Sequence, residues 1–131
     1  MNEQLIETLE RLPSEPAVVI DLYAQLYSGC FWVLVQDQAA QIDELSFLTY
    51  PSGDGARELP VFTSPERRLV GGLREQGSDA QLLRIDGPAL WRRLLELAAS
   101  GVCEPAVDPG EAHGIRLTRE MILGMVGKYG V

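Results

Sequence analysis

Leu45-Ser-Phe-Leu-Thr-Tyr-Pro-Ser-Gly-Asp-Gly-Ala-Arg-Glu-Leu-Pro-Val-Phe-Thr-Ser-Pro-Glu-Arg-Arg-Leu69 is the stretch whose reading decides the fold. Two apolar runs, Leu45–Tyr50 and Leu59–Phe62, flank Pro51-Ser52-Gly53-Asp54-Gly55, a run of turn-forming residues. Short strand-like runs around a Gly-containing turn read as a β-hairpin. The second run stops at Thr63-Ser64-Pro65-Glu66, which opens a helix in one of two ways. Thr63 caps it with Glu66 three residues on as capping-box partner, or Ser64 caps it with Pro65 at the first helical position. Either version predicts a helix over about Pro65–Gln76, weakened by Gly71-Gly72.

Working outward toward the N-terminus, Cys30-Phe31-Trp32-Val33-Leu34-Val35 is aromatic and β-branched and too short for a helix, so it reads as a buried strand. Before it, Leu5, Ile6, Leu9 and Leu12 form one helical stripe that Asn2 can cap and Pro13 stops. Ser14-Glu15-Pro16 starts a second helix on Val19, Leu22, Tyr23 and Leu26, and Ser28-Gly29 ends it. Toward the C-terminus, Ala80–Ile85 reads as a strand and Asp86-Gly87-Pro88 caps a helix with Leu90, Trp91, Leu94 and Leu95 on its apolar face. Val102-Cys103-Glu104 reads as a short strand before a loop, Pro105–Gly114. Thr118 caps the last helix, with Leu117 and Ile122 spaced as a hydrophobic staple. Closely spaced strands at 30–36, 45–50 and 58–63 predict an antiparallel meander, and the later strands, separated by helices, predict crossovers. The expected fold is α+β: one domain over 1–131, with a mixed sheet of about five strands and helices packed against it.

Composition narrows the function. The chain of 131 residues is 46% hydrophobic and 23% charged, which suits a globular domain large enough for its own core. The longest uninterrupted apolar run, Cys30–Val35, is far shorter than a membrane span, and the first residues carry no basic leader. Reduced, buried cysteines are expected of Cys30 and Cys103, and the cytoplasm is the expected compartment. The net charge is −8, of which residues 1–50 carry −7. An acidic field of this kind repels nucleic acid and anionic membranes, so neither is an expected partner, and a basic protein partner is compatible with it. A homodimer is compatible with it too.

Catalytic and cofactor chemistry finds few candidates. His113 is the single histidine, so no multi-histidine metal site can form, and no metal or cofactor is expected. Cys103 and His113 lack a nucleophile signature around them, and read as a structural thiol and a surface histidine. Gly53-Asp54-Gly55 and Gly71-Gly72 lack the lysine of a phosphate loop, since the chain's one lysine is Lys128. The carboxylate pairs Asp43/Glu44 and Asp108/Glu111 fall in hydrophilic connectors and read as solvated. Trp32 and Trp91 read as core. The pairs Arg67-Arg68 and Arg92-Arg93 are of the type that recognises a phosphate or carboxylate, but two isolated pairs on helix faces read as solvated surface. No catalytic residue is expected.

With Val61-Phe62-Thr63-Ser64-Pro65-Glu66-Arg67-Arg68-Leu69 in view, the chain resembles the bacterial SseB family, whose members are named for enhanced serine sensitivity and sometimes labelled as type III secretion-related. The resembling parts are Phe31–Val35, Leu59–Ser64, Glu66, Leu82–Leu97, the turn Asp108-Pro109-Gly110 and Leu117-Thr118-Arg119-Glu120, over about residues 17–127. Asp108 stands where the family turn more often has Asn, and the chain ends after one domain where many members carry a second. The resemblance implies a fold more directly than an activity. The expected function is that of a non-enzymatic domain acting through protein–protein contacts. Its expected surface is Phe62, Thr63, Ser64 and Glu66 with Asp108, Pro109 and Gly110, because loops at strand ends are where binding concentrates. The alternative is a module sensing an anionic metabolite such as an amino acid, through the helix start at Ser64 and a neighbouring arginine. An enzyme ranks third.

Overall fold

A computed structural model describes residues 3–36, 47–51, 57–67, 69, 70, 72, 80–99 and 104–129. Their order is α1 (Glu3–Arg11), a 3-10 turn (Pro16–Val18), α2 (Val19–Ser28), β1 (Cys30–Val35), β2 (Tyr50–Pro51), β3 (Arg57–Val61), β4 (Gln81–Asp86), α3 (Gly87–Ala99), β5 (Glu104–Val107), β6 (Ile115–Arg116) and α4 (Arg119–Tyr129). This is an α+β fold with mixed strand pairing, as the pattern of runs predicts.

The strands pair in two ladders. β1 and β4 are antiparallel, Cys30 opposite Asp86 and Val35 opposite Gln81. The second ladder runs β2-β3-β5-β6. In it β3 and β5 are parallel, with Val61 opposite Val107, and the outer pairs are antiparallel. β1 joins the ladders through two bridges, Val35 to Phe47 and Trp32 to Phe62. At the second, the two residues exchange both backbone hydrogen bonds, at 2.9 and 2.8 Å.

Side-chain period 2 along β1 explains why its apolar run is unbroken. Phe31, Val33 and Val35 enter the main core with Leu22 and Leu26 of α2, Trp91 and Leu94 of α3, and Ile122 and Met125 of α4. Leu34, on the opposite face, enters a smaller core with Phe62, Val70 and Ala80, and Trp32 packs half-buried against that same cluster. The Trp91 ring meets Phe31 edge-on, centroids 5.4 Å apart at 74°, and its indole N–H donates to the Leu26 carbonyl at 2.7 Å. That partner is what lets a tryptophan be wholly buried. α3 starts with no connector after β4. The Gly87 N–H donates to the Gly29 carbonyl at 2.8 Å, and a Cβ at Gly87 would lie 2.3 Å from the Tyr27 carbonyl oxygen.

Several expectations need correction. The strand expected at Val102–Glu104 is β5, Glu104–Val107, so the expected loop gives up its first three residues to a central strand. Proline normally excludes that position because it has no N–H for the ladder. Pro105 contributes its carbonyl instead, which accepts from the Leu117 N–H at 2.8 Å. Trp32 is half-buried and not core like Trp91. Cys30 is half-buried, its sulfur accepting from Arg84 Nε at 2.6 Å, and Cys103 lies outside the described residues. So do the expected turn at 52–55, Asp43/Glu44, Arg68, Gly71 and the helix residues beyond Gly72; Leu69 and Val70 are helical, as expected.

Candidate functional site

Because β3 and β5 are parallel, the residues that follow them emerge at the same end. The Asp108 N–H continues the ladder by donating to the Val61 carbonyl at 2.9 Å, and there the chain turns out of β5. Asp108 has a φ of 46°, the left-handed region, which asparagine and aspartate tolerate far better than other side-chain-bearing residues. Two consecutive turns follow, Glu111 N–H to the Asp108 carbonyl at 3.1 Å and Gly114 N–H to the Glu111 carbonyl at 3.0 Å. They wrap the loop tightly around its own start. A Cβ at Gly114 would come within 2.4 Å of the Asp108 carbonyl oxygen, so glycine is required there.

This folding leaves the Asp108 carboxylate wholly buried and surrounded by donors. Oδ1 accepts from the Thr63 backbone N–H at 2.9 Å. Oδ2 accepts from the Thr63 hydroxyl at 2.5 Å and pairs with Arg67 Nε at 3.2 Å and His113 Nε2 at 2.6 Å. Arg67 also donates to the Thr63 hydroxyl oxygen, through Nη2 at 2.8 Å. A carboxylate accepts on two oxygens, and here both are used, one of them three times. Burying such a group is tolerable only with partners of this number and charge.

The clasp overturns four readings made from the linear chain. Asp108 is no solvated loop carboxylate, and His113, with its side chain 10% exposed, is no surface histidine. Arg67 is committed to the clasp and is not a solvated helix residue. Thr63 does not cap Glu66 either, since both its N–H and its hydroxyl are directed to Asp108. The Glu66 N–H donates to the Ser64 hydroxyl at 3.2 Å inside a turn at Pro65-Glu66, and Leu69 is the first described residue that is helical, so neither version of a helix start at Pro65 is formed. Of the seven residues expected to form a surface, the structure brings the two loops together but divides their roles. Phe62 is buried with its backbone bonded to Trp32, and Thr63 and Asp108 are buried in the clasp. Pro65, Glu66 and Gly110 are exposed, and Ser64 and Pro109 are half-buried.

Residues 3–123 match the SseB protein N-terminal domain. The chain belongs to the SseB family. No curated protein and no solved structure matches it. The SseB match spans every element from α1 into α4, so both loops of the clasp lie within the family's domain.

Two clefts adjoin the clasp in this SseB domain. One, about 400 Å3, is lined by Glu3 and Ile6 of α1, Trp32 of β1 and the turn Thr63–Pro65 with Arg67. The other, about 380 Å3, lies beside Pro109, Gly110 and Glu111 and reaches Tyr50, Glu58 and Arg116. In the second the arginine is already matched. Arg116 Nε pairs with Glu58 at 3.1 Å and lies 3.8 Å from Glu104. Partial burial, together with the neighbouring Glu58 carboxylate, pushes the Tyr50 phenol well above its ordinary range. Chemically, the clasp holds loops and does not activate a nucleophile. The Thr63 hydroxyl and His113 both point at the same carboxylate, so the imidazole is no base to the hydroxyl. Sequence reasoning weighs Arg67 and His113 but reads both as surface residues; what it misses is their shared partner Asp108, for which the one signal was the Asp-Pro-Gly turn, a pattern that suits a left-handed residue.

Proposed function

We propose that this SseB domain is a non-enzymatic bacterial protein that works in the cytoplasm by protein–protein contacts, through the face where its two clasped loops meet. The observation that carries the reading is the Asp108 clasp. It fixes Ser64–Glu66 and Pro109–Gly110 beside one another, with Pro65, Glu66 and Gly110 exposed, and a preordered pair of loops loses little conformational entropy on docking. No helix among the described residues is long and apolar enough to cross a membrane, which agrees with this setting. The excess acidic charge of residues 1–50 favours a partner with a basic rim.

Charge reversal on each loop tests the reading. Glu66→Arg and Glu111→Arg leave the clasp intact, so the melting temperature should stay within a few degrees. Partner capture from the native lysate at low salt, followed by mass spectrometry, should lose the same specific protein in both variants. Capture unchanged in both would remove this face from consideration. Light scattering on the purified domain then settles whether that protein is a second copy.

A further inference from the structure

Arg67 is held by its inner edge only. Nε and Nη2 are bonded to Asp108 and Thr63, while Nη1 has no acceptor among the described residues. Its side chain remains 22% exposed, and it lines the cleft between α1 and the Thr63–Pro65 turn. A guanidinium anchored from behind by a buried carboxylate is fixed in plane and presents its remaining N–H groups in one orientation. That is the geometry by which arginine recognises a carboxylate. Ile6, Trp32 and Pro65 give the same cleft an apolar wall, and Trp32 carries an indole N–H that also has no acceptor among the described residues.

One feature narrows the ligand. Asp108 already offsets the Arg67 charge, so a bare anion gains little from long-range attraction and recognition must come from hydrogen-bond geometry and apolar contact. We infer that this cleft takes a carboxylate adjoining an apolar side chain, as at the C-terminus of a peptide, with Arg67 Nη1 on the carboxylate and Ile6 and Trp32 on the side chain. The inference rests on the interaction reading and names the chemistry of the partner's end.

The test titrates the isotopically labelled domain and follows the Arg67 Nε–H and Trp32 indole N–H signals by NMR. The probes are acetyl-Ala-Ala-Ala-Leu with a free C-terminus, the same peptide amidated, N-acetyl-leucine and inorganic phosphate. The free-acid peptide should shift both signals, and the amide and phosphate should shift neither. N-acetyl-leucine should bind no more tightly than the peptide. Arg67→Lys, which keeps a cation on Asp108 but removes the outward N–H groups, should weaken the peptide about tenfold, as expected for one charge-assisted hydrogen bond removed. Ile6→Glu, which does not touch the clasp, should weaken it at least as much and keeps the test valid if Arg67→Lys folds poorly. Equal binding of acid and amide, or binding of phosphate, would overturn the inference. N-acetyl-leucine binding with the peptide excluded would overturn its assignment to a protein end. Should the peptide fail while Glu66→Arg and Glu111→Arg still abolish capture, the carboxylate chemistry falls and the interaction face stands.

Discussion

Asp108 shows how much of a small domain can depend on one side chain. Its backbone takes a left-handed conformation and its carboxylate ties β3's exit to β5's through four donor groups. Asp108→Ala leaves Thr63, Arg67 and His113 facing a void and strains the turn. Breaking a buried pair from one side costs about 3–5 kcal/mol, and that is the expected loss in urea denaturation. Asp108→Asn should cost distinctly less. The amide oxygen can still accept from the Thr63 N–H, the amide NH2 can donate to His113 once the imidazole proton moves to Nδ1, and asparagine suits the left-handed backbone. An Asn variant as unstable as the Ala variant would show that the negative charge, and not the shape of the network, holds the loops.

At the scale of elements, Ser64 and Thr63 separate a surface turn from the clasp. Ser64→Ala removes one exposed turn hydrogen bond, worth about 0.5–1.5 kcal/mol at most. Thr63→Val keeps the buried volume but leaves Asp108 and Arg67 short of a partner, and adds to that the burial of an unpaired polar group, about 1–3 kcal/mol. Chemical denaturation should show Thr63→Val as the less stable of the two variants. Tyr50, at the β2–β3 junction, gives a pH signature. Its phenol titrates higher in the folded state than the ordinary value of about 10, so its contribution is complete below about pH 10 and declines as the pH rises beyond it. The denaturation midpoint should therefore fall between about pH 10 and about pH 12, and Tyr50→Phe should flatten that fall. An identical slope in both proteins would remove the Tyr50–Glu58 contact as its cause.

The elements themselves were legible because their cues are local. Period 3.6 in α1, α2 and α3, the continuous apolar run of β1 and the Thr118 cap of α4 each reside within a dozen residues. The Met121 N–H does meet the Thr118 hydroxyl, at 3.2 Å. β5 was displaced because proline normally marks a loop, and only the tertiary pairing shows that its missing N–H is not needed. The clasp was illegible for a different reason: Thr63 and Asp108 are 45 positions apart, and parallel pairing of β3 with β5 is what joins them. Capping chemistry accounted for Thr63 so fully in the linear chain that no residue signalled a second use.

At the scale of the whole molecule, the question is whether two ladders make one cooperative unit. β1 is the joint. Its alternating side chains enter both cores, and the Trp32–Phe62 bridge ties it to the end of β3, one residue before the clasp begins. If the ladders opened separately, that bridge would part before the strands on either side of it, because it is a single exchanged pair of hydrogen bonds beyond either ladder. The packing argues otherwise. Phe62 is wholly buried between Leu34, Val70 and Ala80, so parting the bridge exposes apolar surface on both sides at once. Burial at about 25 cal/mol per Å2 makes such exposure cost several kcal/mol, far more than the two hydrogen bonds alone. Native-state hydrogen exchange should thus give the Trp32 and Phe62 amides the same opening free energy as Val33 and Val61 in the ladder interiors, equal to that of global unfolding. Faster exchange confined to Trp32 and Phe62 would mean that the two ladders part as separate units and that the clasp rides on only one of them.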